Sequence, residues 1–354
     1  MKKNSNGQPF FLAVNFINPH DIMYFCESEK GGTFGSATAP DEPVYKKTYP
    51  SVPVPASWNE PLDKAGRPSA HYQYQKGWDI VTGESPKDET EWRTFRDYYF
   101  NCIQDCDNQM IRLLDHIEQL GLMDNTIIVY TSDHGEMAGE HKMKGKGGNI
   151  YENNIHVPLI IYHPDYVGGR SCKSITSHLD LAPTFVDMAT DNDIDANRIK
   201  AGVKGYSLME AMQNTDAPMR NQEGALFVYD MISMLDDDPE VTPQPNGEIS
   251  MKVDLNNRGY LRGIITQDYK FARYFSPLLF NTPTDVKSLY ENNDVELYAM
   301  GSDECENMAH PQGNNSELVE NFNKRLNNII SREIGVDDGQ ETTTFIDGIG
   351  MYGK

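Results

Sequence analysis

Apolar positions along this 354-residue chain fall into short unbroken runs and longer stretches spaced by three and four residues. The runs Phe10 to Ile17 (FFLAVNFI), Thr126 to Tyr130 and Val157 to Tyr162 have the length and β-branched or aromatic content of buried strands. From Glu89 to Leu120 the pattern is helical, with Phe95, Tyr98, Cys102, Ile103, Cys106, Met110, Leu113, Leu114, Ile117 and Leu120 on one stripe and Gly121 as the stop. A strand at 10–17, a long excursion ending in this helix and a strand at 126–130 have the order of a parallel crossover. Residues 177–189 (SHLDLAPTFVDMA) predict a helix entered at Asp180 with Pro183 in its first turn. Further on, strands are expected at 225–230, 259–265, 269–275 and 296–299, and a helix near 316–333. The acidic run Asp236 to Glu240 reads as a solvated loop.

Residues 28–88 show no clear period and carry Pro40, Pro43, Pro50, Pro53, Pro55 and Pro61, so they are expected to be irregular, a surface excursion or a functional loop. Its rings, Trp58, His71, Tyr72, Tyr74 and Trp78, suit pinning the excursion to the domain; stacking on a sugar is the second reading.

Two of the strand-like runs end in chemistry. Thr126 to Tyr130 gives way to Ser132-Asp133-His134-Gly135, and Phe10 to Ile17 to Asn18-Pro19-His20-Asp21. Ligands of open α/β sheets sit beyond the carboxyl ends of parallel strands. Asp133 offers an anionic oxygen and His134 a neutral nitrogen, a pair suited to a divalent cation, and Gly135 allows a sharp turn behind them. Gly139-Glu140-His141 comes next, then Lys142, Lys144 and Lys146 among Gly145, Gly147 and Gly148, then Tyr151-Glu152. A metal-ligand pair beside a lysine and glycine loop is a place to hold a tetrahedral anion. Lys142 and Lys144 are expected to project into solvent.

A formal charge of −22, from 53 acidic and 31 basic residues, argues against nucleic acid as partner. It leaves room for a small anion, because residues 142–146 are locally basic. No apolar run approaches a membrane span. Cys26, Cys102, Cys106, Cys172 and Cys305 form neither a metal-type pair nor a disulfide framework, and leave the redox compartment open. Lys2-Lys3 and the run after Phe10 lack the spacing and cleavage site of a signal peptide.

The order SDHG, GxH, a lysine five residues after that histidine, YE, then VPLII resembles the sulfatases of the alkaline-phosphatase superfamily. The PH at residues 19–20, the helix before SDHG, the helix at 177–189, KGYSL at 204–208 and ELYAM at 296–300 add to the likeness. It implies an α/β fold, an alkaline-phosphatase-like sheet with flanking helices, and a smaller C-terminal α+β subdomain. The division expected is 1–222 for the catalytic α/β part and 223–354 for the subdomain. The activity implied is hydrolysis of a sulfate ester, such as a sulfated glycan, with one divalent cation, Ca2+ by resemblance, held by Asp133 and His134. Lys146 would neutralise the sulfate, His20 would assist the leaving group, and His141 would line the substrate pocket. A periplasmic or secreted location goes with the family; oligomeric state is open.

Such sulfatases attack sulfur with a formylglycine made from the first residue of C/S-x-P/A-x-R. No cysteine or serine here lies in that context, and the family's earlier acidic metal-ligand pair is also missing. The resemblance covers the later two thirds of a usual sulfatase, so a truncated product, a misplaced start or one piece of a split enzyme is expected. Activity of the chain alone is therefore doubtful. A phosphonate or phosphodiester hydrolase of the same superfamily, and a non-catalytic remnant or subunit, are the alternatives.

Overall fold

The computed structural model describes residues 9–27, 31–33, 35–166, 168–190, 197–198, 201–220, 223–230, 241–243, 249–251, 254–311, 313–339, 344–346 and 349–351. The run from Phe10 to Ile17 is not a strand. Its described residues belong to no sheet, and Phe11 and Ile17 are 77% and 74% exposed. Phe11 meets Phe185 edge-on, with ring centroids 5.7 Å apart. An apolar run becomes a buried strand only where neighbours satisfy its backbone and cover its faces, and no described strand lies beside this one. The expected parallel crossover therefore has no first strand.

Residues 28–88 are less irregular than expected, since they contain helix α1 (Ser69–Thr82). Its inward side is made of Ala70, His71, Tyr74 and Gln75, a helical spacing in mainly polar and aromatic residues. His71 and Tyr74 are buried, and Trp78 packs beneath Gly145, so these rings anchor the segment; Tyr72 is half exposed. Helix α2 (Glu89–Gln119) begins at Asp88, whose carboxylate accepts the Glu91 amide hydrogen at 3.0 Å, and stops at Gly121, φ +62°. Trp92, Phe95, Tyr98 and Cys102 bury its first half against Ile22, Phe25 and Ala138. Each large ring so buried contributes roughly 1.5–3 kcal/mol.

Strand β1 (Ile128–Thr131) pairs with β2 (Leu159–Tyr162) antiparallel, with Val129 opposite Ile161. Helix α3 (Leu181–Ala189) starts where sequence places it, after a capping box between Ser177 and Asp180. Four later strands, β3 (Ala225–Tyr229), β4 (Tyr260–Ile265), β5 (Tyr269–Phe275) and β6 (Asp294–Ala299), form one antiparallel sheet in that order. They match the expected positions within two residues. Asp236 to Glu240 lies outside the described residues.

This sheet is covered on both faces, which explains its nearly continuous apolar runs. Ile264, Phe271, Val295 and Leu297 face helix α4 (Ser316–Glu333) through Val319, Phe322, Leu326 and Ile330. The alternate residues Leu261, Ala272, Tyr274 and Tyr298 meet Tyr74, Met137, Met143, Ile150 and Tyr151. The second face is thus the floor beneath the loop after β1. Among the described residues no helix is long and apolar enough to cross a membrane.

Asp180 links α3 to the C-terminal part of the chain. Its carboxylate accepts from Arg220 Nε at 2.9 and 3.1 Å, Arg220 Nη2 at 2.7 Å, and the Ser177 and Tyr206 amides at 2.8 Å. Arg220 Nη1 reaches Glu333 at the end of α4, at 2.7 Å. Both Asp180 and Arg220 are fully buried. Truncating one member leaves a buried charge unpaired, so Arg220→Ala is expected to cost about 3–5 kcal/mol by urea unfolding. A loss below about 1 kcal/mol, the scale of an exposed pair, would contradict the linking role.

Candidate active site

Beyond the end of β1, Asp133 is exposed and His134 half buried. His134 Nδ1 lies 2.9 Å from the Gly135 carbonyl oxygen, which can only accept, so Nδ1 carries the hydrogen. That leaves the Nε2 lone pair available, 3.4 Å from Asp133 Oδ2. Two ligands at right angles, each 2.3–2.6 Å from one ion, are about 3.3–3.7 Å apart. The pair therefore fits adjacent positions on a single calcium-sized cation, with hydrogen bonding that already fixes the imidazole tautomer.

The loop after His134 is closed on itself. Gly135 and Glu136 donate their amide hydrogens to the Asn154 and Asn153 carbonyls at 2.9 and 3.0 Å. A Cβ on Gly135 would stand 1.9 Å from the Asn153 oxygen. Close backbone approach requires the glycine there; its φ is not left-handed. Asn154 accepts from the Gly147 amide at 2.9 Å and donates to the Gly147 and Asn149 carbonyls at 2.6 and 2.8 Å. The Glu136 carboxylate accepts from the Gly145 amide at 2.6 Å and the Ala138 amide at 3.3 Å. Burial pushes the Glu136 carboxyl up to about 7, against the lowering effect of those amides and of Lys146 and Lys144.

Lys146 leaves this loop toward the Pro19-His20 motif. Its Nζ donates to the His20 carbonyl oxygen at 3.3 Å, and Tyr74 donates its hydroxyl hydrogen to the Lys146 carbonyl. Burial lowers the Lys146 ammonium, while Glu136, Asp133 and Asp21 act to hold its charge. The His20 ring is half exposed, with Nδ1 2.8 Å from Asp21 Oδ1, so Nε2 is the nitrogen left facing outward. The His20 carbonyl, Glu136, Asp133 and Asp21 thus lie around the Lys146 ammonium.

Lys144 corrects an expectation. It is fully buried, donating to the Gly83 carbonyl oxygen, with Asp79 in its field. The turn that sends Lys146 outward sends Lys144 inward, two residues earlier. His178 Nε2 lies 2.9 Å from the Ser132 carbonyl oxygen.

His141 stands in a separate cluster. It is buried, stacked on Tyr151 with ring centroids 3.9 Å apart, and its Nδ1 lies 2.9 Å from Glu60 Oε2, which also pairs with Arg67 at 2.5 Å. Among the described residues no hydrogen bond or ion pair joins His141 to Asp133, His134, Lys146 or His20. The donor atoms of Glu60, His141 and Cys305 all lie within 4.8 Å of one another, a possible metal-holding group. Sequence reasoning missed Glu60, Glu136 and Asn154. Glu136, directly after DHG, carried a positional hint; Glu60 and Asn154 had none.

Glu136 also gives a pH signature. Between its unfolded value near 4.5 and about 7, the folded chain holds a proton that the unfolded chain releases. Its contribution is therefore fullest below pH 4.5 and declines as pH rises through 7, by on the order of 3 kcal/mol. Glu136→Gln is expected to flatten this part of the stability profile in urea unfolding across pH 4.5 to 8. An unchanged slope would contradict the burial of an ionisable group at this position.

Comparison with known proteins bears on the family and the fold. The family model described as Sulfatase matches residues 1–191. Arylsulfatase K of Xenopus laevis is 31% identical over 207 residues, 58% of this chain and 35% of that protein. The N-acetylglucosamine-6-O-sulfatase of Bacteroides thetaiotaomicron is 37% identical over 185 residues, 52% of this chain and 28% of that protein. The chain spans about a third of the length of these curated relatives. A solved phosphonate monoester hydrolase from Silicibacter pomeroyi superposes with a TM-score of 0.64 at 19% identity, over 99% of this chain and 61% of that one. That likeness shows a shared fold, the alkaline-phosphatase-like α/β arrangement. Sulfatases generally depend on a metal ion, in keeping with the donor groups found here. With the family model covering more than half of its residues, this chain belongs to the sulfatase family.

Proposed function

We propose that this chain provides the cation- and sulfate-holding side of an active site that hydrolyses sulfate esters. The substrate class proposed is a sulfated sugar and the ion is Ca2+. The observation that carries the reading is the Lys146 contact with the His20 carbonyl at 3.3 Å, beside Asp133. It links the Lys146 ammonium, with Asp133 and Asp21 in its field, to the backbone of the distant His20 segment, which supports reading the two motifs as one site. The Bacteroides relative named for N-acetylglucosamine-6-O-sulfatase activity supports the sugar assignment.

Asp133 Oδ2 and His134 Nε2 would hold the cation as neighbouring ligands. A bound divalent cation supplies positive charge against the sulfate oxygens. Lys146, held by Tyr74 through its backbone, exchanges the His20 carbonyl for a sulfate oxygen and needs little reorganisation to do so. Asp21 fixes the His20 ring through Nδ1, leaving Nε2 to donate to the departing alcohol oxygen. The attacking group is taken to be the family's formylglycine, supplied from outside these 354 residues, because none of them lies in its motif.

Binding by the 354-residue chain tests the reading. By calorimetry Ca2+ is expected to bind weakly, with Kd on the order of 10⁻⁴–10⁻³ M, and not to Asp133→Ala. With Ca2+ present, N-acetylglucosamine 6-sulfate should bind and the unsulfated sugar should not. Lys146→Ala should weaken that binding at least tenfold and Lys142→Ala should leave it unchanged. Equal losses at both lysines would indicate a diffuse basic surface and overturn the assignment. Preference for a phosphonate monoester would move the reaction to the alternative class.

His20 has its own test in the nucleophile-bearing enzyme. A residue that assists the leaving group matters most for a basic one. His20→Ala is expected to lower kcat/KM far more for a sugar sulfate than for 4-nitrophenyl sulfate. Equal losses would make His20 a binding or structural residue.

A further inference from the structure

Away from the strand-end pair, three chemically different donors meet from remote parts of the chain. Glu60 comes from the proline-rich excursion, His141 from the loop after β1, and Cys305 from the segment after β6. Their ligand atoms lie within 4.8 Å of one another. We propose that Glu60, His141 and Cys305 form a second metal site, selective for a transition-metal ion of the zinc class.

The donor set points away from calcium. A carboxylate oxygen, an imidazole nitrogen and a thiolate sulfur suit a borderline or soft ion; calcium takes six or more oxygens. The Glu60 Oε2 and His141 Nδ1 atoms are 2.9 Å apart, joined by a hydrogen that an ion would replace, and Arg67 Nη2 lies 3.4 Å from the same nitrogen. Tetrahedral ligands at about 2.0–2.1 Å from zinc stand about 3.4 Å apart, so this gap opens by only about half an ångström.

The imidazole is held in advance. His141 lies at φ +52°, left-handed backbone that a non-glycine residue rarely adopts, directly after Gly139-Glu140. Its amide donates to Ser57 Oγ at 2.9 Å, and Ser57 in turn donates to Glu140 at 2.7 Å. Stacking on Tyr151 fixes the plane of the ring, with 15° between the planes. Strain of this kind is tolerated where the surroundings over-determine a position.

Access and field are also present. Cys305, partly exposed, borders a cavity of about 270 Å³ whose wall includes Asp303, Glu304, Glu152 and Glu140. Lys64 and Arg67 pair with Glu60 at 2.9 and 2.5 Å and oppose a cation. Lys270 pairs with Glu152 and Glu304 on the cavity side. The acidic side chains outnumber these basic ones, and the Glu60 carboxylate has a lone pair for each partner. Three protein ligands leave a fourth position open toward the cavity for water; Cys305 releases its thiol proton to solvent on ligation.

Cobalt(II) is the probe, because thiolate ligation adds an intense near-ultraviolet charge-transfer band. The intact chain and Asp133→Ala, which lacks the strand-end ligand, should both bind one Co2+ with this band. Zn2+ should displace it and raise Tm. Cys305→Ser should abolish the band, and Glu60→Gln should weaken binding at least tenfold, with circular dichroism confirming that each variant folds. If Glu60→Gln does not fold, Cys305→Ser decides alone, since that thiol is partly exposed and its hydrogen bond, to the Asp303 carbonyl oxygen at 3.5 Å, is local. Absence of the band in the intact chain, or its persistence in Cys305→Ser, overturns the proposal. Neither result bears on the calcium and sulfate binding of the strand-end site, so the two readings fail separately.

Discussion

The site depends on one buried carboxylate closing one loop. Glu136 lies two residues past His134 and takes the Gly145 amide hydrogen at 2.6 Å, so the Asp133-His134 pair and the lysine loop are tied across nine residues. Asn154 ties the same loop from the other end through Gly147 and Asn149. Burying a carboxyl is expensive, and the amides aimed at it offset part of the cost. What is gained is placement. Gly145 and Gly147 adopt φ of +83° and +106°, Lys144 turns inward, and Lys146 emerges beside His20.

This loop needs a rigid floor, which the C-terminal sheet provides. One face of the sheet packs on α4 and the other carries Leu261, Ala272, Tyr274 and Tyr298 against Met137, Met143 and Ile150. Polar groups cross that same contact. Tyr274 and Tyr298 donate their hydroxyl hydrogens to Glu296 at 2.6 and 2.7 Å, and His71 on α1 lies 3.1 Å from the Tyr274 hydroxyl. Burial pushes Glu296 up to about 7 and His71 well below its usual range, so the neutral imidazole is the favoured form. A polar layer so fully partnered specifies one docking of loop on sheet, where apolar contacts alone would tolerate sliding.

Sequence made some of this legible and hid the rest for physical reasons. Helix α2 and strands β3 to β6 carry their period in apolar residues, so periodicity finds them. Helix α1 escaped because its buried side is His71, Tyr74 and Gln75, residues whose burial depends on partners far along the chain. Phe10 to Ile17 misled in the opposite sense, since apolarity shows a need for burial and not that a neighbour meets it. Lys144 was assigned to solvent because an unpaired lysine belongs there; the Gly83 carbonyl that receives it comes from the end of α1. The motifs at His20 and Asp133-His134 were visible because polarity switches within two residues of an apolar run. Their partners Glu136 and Asn154 act through backbone geometry, which short-range pattern does not encode.

The central claim is that His20, Asp133, His134 and Lys146 act around one bound sulfate and one cation. A crystal structure of the chain grown with Ca2+ and a sulfate ester tests it most directly. The account predicts the ion about 2.3–2.6 Å from Asp133 Oδ2 and His134 Nε2. It also predicts a sulfate oxygen in the place the His20 carbonyl now holds against Lys146 Nζ. Calcium bound elsewhere, or sulfate bound while Lys146 keeps its contact with His20, would contradict it.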